Sequence, residues 1–157
     1  MSEENTKKKM TPATKGLLMV ILGVVMAIAG TLAITGNEGA DAMLTRVGAQ
    51  TATNGALEMN GEMEDGFMIA ADALDKGVQA RLGSPDAFAG LISEEIEKRT
   101  DFSGTSMVIS SVIGMLNTNY IPGQTEEEYL RKVKCISQGI RAAVIEHKTI
   151  NENLHGK

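Results

Sequence analysis

Covalent catalysis needs an activated serine, cysteine or threonine beside a base, so the cysteine and the histidines are the first residues to place. The chain has one cysteine, Cys135, and two histidines, His147 and His155. Cys135 and His147 stand twelve residues apart. On one helix that separation is roughly 18 Å of axial rise, too far for a dyad. His155 lies close to the last residue, a poor support for a rigid site. The ordinary reading of Cys135 is a small packed side chain. Its functional alternative is an intermolecular disulfide, which an unpaired cysteine invites in an oxidising compartment.

The densest polar cluster is EMNGEMEDG at 58–66. Acidic oxygens among glycines suit Ca²⁺, but the ligand spacing of an EF-hand loop is absent. Met59 and Met63, four residues apart with Met68 nearby, are soft thioethers of the kind Cu(I) takes. The plainer reading is core methionines beside a solvated acidic face. Glu94, Glu95 and Glu97 read as the solvated side of a helix rather than as paired catalytic carboxylates. Glu126, Glu127 and Glu128 are accounted for by a helix start. No phosphate-cradling loop, dinucleotide fingerprint or zinc-ligand spacing occurs. These residues predict a protein that is not an enzyme and carries no cofactor and no metal.

Composition narrows the classes further. The 157 residues carry a formal charge of −5, only 3% aromatic residues and no Trp. That excludes a basic nucleic-acid binder and leaves no aromatic platform for stacking bases or sugars. A single cysteine excludes a disulfide scaffold. The averages also hide a division. Residues 1–15 hold Lys7, Lys8, Lys9 and Lys15 against Glu3 and Glu4. Residues 16–35, GLLMVILGVVMAIAGTLAIT, then run without a charge. As a helix this run spans roughly 30 Å, the thickness of a bilayer's hydrocarbon. Only Arg46 is basic in the following 36–55, so the positive-inside rule puts the leader in the cytoplasm and the remainder outside. Residues 36–157 carry −7. The expectation is a single-pass protein in contact with the lipid bilayer, its C-terminal domain extracytoplasmic. Gly16, Gly23 and Gly30 recur every seven residues and present a strip of small residues for packing against another membrane helix.

Two other uses of this segment follow from the same residues. A basic stretch, an apolar core at 17–26 and Ala27-Ile28-Ala29 make a signal peptide cut after Ala29, which would release a secreted domain. A leader ending in Lys15-Gly16 before an unbroken apolar helix resembles a type IV prepilin. That resemblance covers about 20 residues and implies cleavage after Gly16 and a helix packed in a filament core. It also implies a head with a β-sheet and a paired disulfide. The chain departs from the family at Ile21, where a glutamate is usual, and in having only Cys135.

The elements beyond the run read as helices. Residues 36–55 make a stalk or an imperfect helix, weakened by Gly48 and Gly55. Leu57, Met63, Phe67, Ala70, Ala71, Leu74, Val78 and Leu82 largely keep one helical face, with Gly61 and Gly66 as breaks and Gly83 as the terminating glycine. Ser84, Pro85 and Asp86 start the next helix, Phe88, Leu91, Ile92 and Ile96 stripe it, and Lys98 and Arg99 close it. Residues 107–116 fit either a β-branched strand or a buried helix capped by Ser103 or Thr105, and helical neighbours favour the helix. Pro122-Gly123 marks a turn. Thr125 with Glu128 forms a capping box ahead of the stripe Leu130, Val133, Ile136, Ile140, Ala143 and Val144. The tail at 149–157 is polar and expected to fray.

The chain thus divides into a leader at 1–15, an anchor or signal segment at 16–35, a linker at 36–55, a helical domain at 56–148 and the tail. The fold class is mainly α, with about four helices after the N-terminal segment. The expected role is contact with a protein partner or a second copy, as an accessory or structural subunit of an envelope assembly. The alternatives are a pilin-like filament subunit and a secreted metal- or ligand-binding domain.

Overall fold

The computed structural model describes residues 38–99 and 104–155, and all regular structure among them is helical. The helices are α1 (Glu38–Met59), α2 (Glu64–Gln79), α3 (Pro85–Arg99), α4 (Thr105–Asn119) and α5 (Glu126–His155), with a 3-10 turn at Gly61–Met63. Among the described residues no helix is long and apolar enough to cross a membrane. The run at 16–35, with Gly16, Gly23 and Gly30, lies outside the described residues.

Residues 38–55, where the sequence allows a stalk or an imperfect helix, belong to α1, a fifth helix beyond the four expected. Its packing supplies what its propensity lacks. Ala49, Thr53, Ala56 and Leu57 are buried, and α1 lies along α5. Gly48 and Gly55 sit within α1 with open space where a side chain would go. Alanine there restricts the unfolded chain and favours the helix at no steric cost. Gly48→Ala and Gly55→Ala are each expected to raise the unfolding free energy by about 0.5–1 kcal/mol, read from urea midpoints.

At 30 residues, α5 is the spine, roughly 45 Å long. Its start is fixed as the sequence predicts. The Thr125 amide donates to Glu128 Oε2 at 2.8 Å, and the Glu128 amide donates to Thr125 Oγ1 at 3.2 Å. This bonding holds the Glu128 carboxyl below the usual range. Helix α5 runs on through the polar tail to His155, and the Thr149 hydroxyl donates back to the Ile145 carbonyl at 2.9 Å. A helix already nucleated by packing adds further turns cheaply.

Helices α1 and α5 run parallel. Lys132 pairs with Asp41 at 3.3 Å, Gly139 faces Arg46, Ala49 and Gln50, and Glu146 accepts from Gln50 and Asn54. Helix α2 runs antiparallel to α5. The Ser137 hydroxyl donates to the Ala71 carbonyl at 3.2 Å, and Arg141 bridges Asp72 and Asp75 at 2.7 and 2.8 Å.

Two local signals fall on different residues from those expected. Gly66 does not break α2 but is buried within it. The left-handed residue ending α2 is Arg81, at φ 56, rather than Gly83. The Arg81 amide donates to the Val78 carbonyl and the Leu82 amide to the Gly77 carbonyl, a Schellman pattern that satisfies the last carbonyls. Helix α3 starts as predicted, with the Ala87 amide donating to Ser84 Oγ at 3.3 Å, and buries Phe88, Ile92 and Ile96. Residues 107–116 are helical, with Val108, Val112, Met115 and Leu116 inside. Thr105 is the first residue of α4, preceded by Gly104 at the cap position. The sparse aromatics converge: Tyr129 meets Phe88 and Tyr120 edge-on, at centroid distances of 5.9 and 5.3 Å.

Candidate functional site

The densest convergence of polar side chains lies where α1 ends, the 3-10 turn passes and α2 begins against α5. Asn60 ends the run of α1, and its side chain accepts the Glu62 amide at 3.1 Å, turning the chain. Gly61 permits that turn to pass over His147: a side-chain carbon there would come within 3.3 Å of His147 Cε1. The turn places Glu64 in the first helical turn of α2, where negative charge is favoured. His147 Nδ1 lies 2.6 Å from Glu64 Oε1. The two are within hydrogen-bond distance, and the tautomer of the ring sets which neighbour Nδ1 bonds. Asn151, one turn on, stands 3.2 Å from the same ring nitrogen. Lys148 lies 3.7 Å from both Glu64 and Asp65.

Beside this cluster is an open cavity of about 250 Å³, lined by Asn54, Glu58, Glu146, His147, Ile150 and Asn151. Glu146 is fixed by two amide donors, Gln50 Nε2 and Asn54 Nδ2, each at 3.1 Å. These donors hold its carboxyl below the usual range. A carboxyl lowered by folding contributes stability above its ordinary value of 4.5, and that contribution is lost as pH falls through the folded value. Glu146→Gln is therefore expected to lower the urea midpoint at neutral pH, and the gap from the parent chain should narrow as pH falls below the ordinary carboxyl value of 4.5. A gap independent of pH would contradict that role.

The cavity lining holds no serine, threonine or cysteine. Cys135 and His147 both lie in α5, which keeps them apart by the helical rise expected of them. Cys135 is half-buried, and that burial pushes its thiol up, away from the reactive thiolate. Met59 points to solvent while Met63 is fully buried, so these two thioethers do not face one another as the Cu(I) reading requires. Among the described residues no group of three or more His, Cys, Asp or Glu is placed to hold a metal.

Three of the remaining acidic candidates pair with bases. Glu95 meets Lys76 at 2.6 Å and Arg99 at 3.0 Å, Glu94 meets Lys98, and Glu126 meets Arg81 at 2.8 Å. The His147–Glu64 contact was not legible in the sequence, because the two residues are 83 positions apart. The spacing of His147 and Asn151 on one helix face was the available local signal. No family model, curated protein or solved structure matches the chain.

Proposed function

We propose that the chain is a membrane-tethered protein whose acidic helical domain lies outside the cytoplasm and acts by contact with another protein. The observation that carries this reading is the charge division: a lysine-rich leader, an uncharged run at 16–35, then −7 over the remainder. The helix that follows the run supports it. Helix α1, described from Glu38 onward, is packed along α5, so the part of the chain nearest the run belongs to the bundle. Tethering confines the domain to one surface and raises its effective concentration for a neighbour there. The lining of the cavity offers carboxylate and amide groups suited to recognition of a partner.

Protease treatment of intact cells tests the topology. The domain should be degraded from outside while the leader is protected, and the undigested chain should stay in membranes washed at alkaline pH. A domain protected until the cells are broken would overturn the proposal.

A further inference from the structure

We infer that the far end of the bundle, where Ile150 in the cavity wall and Leu154 one turn beyond it stand beside Glu58 and Glu146, is a docking surface for a cationic amphipathic segment of a partner protein. This rests on the proposed role in protein contact and adds the place and the chemistry.

The two apolar side chains are 50% and 69% exposed, which for large hydrophobes at one end of a small domain is a cost unless something covers them. They are placed together by the fold. Ile150 and Leu154 are one turn apart on α5, and Ile150 shares the cavity wall with Asn54 and Glu58 near the end of α1. Helix α5 continues past this point to His155, so its last turn projects beyond the end of its parallel neighbour.

Charge selects the occupant. The cavity wall carries Glu58 and Glu146 and no Lys or Arg. The nearest base on α5, Lys148, is turned to Glu64 and Asp65. Glu146 is already fixed by Gln50 and Asn54, so it is held in place for a charged partner at little entropic cost. The cavity, about 250 Å³, has room for one long side chain. A lysine or arginine entering it would meet two carboxylates while its apolar neighbours one helical turn away cover Ile150 and Leu154. A second copy of the acidic domain offers the wrong sign of charge.

The test uses the full chain in non-ionic detergent, with residue-resolved amide shifts as the readout. The probe is a short acetylated peptide carrying leucines on one helical face and lysines on the other. Shifts should concentrate at Asn54, Glu58, Glu146 and Ile150 to Leu154. Glu58→Lys combined with Leu154→Ser should weaken binding by about tenfold or more. Glu97→Lys with Ile145→Ser makes the same change of charge and polarity at exposed positions away from the cavity, and should leave binding unchanged. Equal weakening in both variants, or no binding, would overturn the proposal. Self-association of the free chain through Leu154, or contacts from residues 16–35 to Leu154 in the free chain, would also overturn it by supplying another occupant. A failed peptide titration leaves the membrane topology result intact, so the two proposals fail separately.

Discussion

Gly139→Ala is expected to lower the unfolding free energy by about 2 kcal/mol, although alanine is the better helix former by about 1 kcal/mol. The reason is the parallel crossing of α5 on α1. A side-chain carbon at Gly139 would collide with the Arg46 carbonyl oxygen and lie 2.9 Å from Ala49 Cβ and 3.0 Å from the Gln50 amide nitrogen. Two of those three atoms are backbone, which cannot rotate aside as a flexible side chain can. The helices must separate, and separation loosens Ala49 and Thr53, both buried at this interface. Urea unfolding of the full chain reads the effect. Gly48→Ala and Gly55→Ala are the internal comparison, because the same substitution in open space should have the opposite sign. A stabilised Gly139→Ala chain would contradict the close crossing.

The second large effect lies between α2 and α3. Phe88 is fully buried, and truncation to alanine is expected to cost about 3–5 kcal/mol. Its ring rests on Gly77, where a side-chain carbon would collide with Phe88 Cε1 and stand 2.7 Å from Cδ1. Gly77→Ala alone is therefore also destabilising, by about 1–3 kcal/mol from overpacking. In the Phe88→Ala background the obstruction is gone, and Gly77→Ala should become neutral or stabilising. The two substitutions should couple by about 1–3 kcal/mol. Additive losses would mean that the ring does not sit on the glycine.

The contrast between these glycines marks what the sequence contains and what it does not. Gly48, Gly77 and Gly139 look alike along the chain, all within helical stretches. Only the partner surface decides that the first is dispensable and the others are needed, and that surface comes from residues 11 to 93 positions away. Local chemistry was legible for the same reason that it is local. Ser84 and the Thr125–Glu128 box cap their helices because donor and acceptor lie within three residues. The stripes of α3 and α5 fall inside as their periodicity requires.

Residues 38–55 were weakly periodic, and their helix depends on burial of Ala49 and Thr53 against α5, which no local pattern encodes. At the candidate site, the sequence singled out His147 and the acidic cluster at 58–66 separately. The turn at Asn60 and Gly61 brings them together, and it does so by a long-range contact across 83 positions. Gly83 shows a different limit. Glycine is the usual left-handed residue, yet the hydrogen bonds ending α2 close two residues earlier, on Arg81.

Under the proposed topology the tether precedes α1 in the chain. Asp41 and Lys132 lie near the end of α1 adjoining the run at 16–35, and the cavity with Glu58, Glu146 and His147 lies at the other end. Between Asp41 and Glu58 the helix rises roughly 25 Å. Under the proposed topology the polar cavity and its exposed apolar rim stand that far along the bundle from the tether's attachment, where a partner at the same surface can reach them.

The accurate mass of the chain recovered from membranes tests the tether most directly. The expected mass includes the whole of residues 16–35, with the chain found in the membrane fraction. A mature chain starting at Leu17 and recovered in filaments would contradict a simple tether in favour of a pilin-like subunit. One starting at Gly30 and recovered in solution would contradict it in favour of a secreted domain.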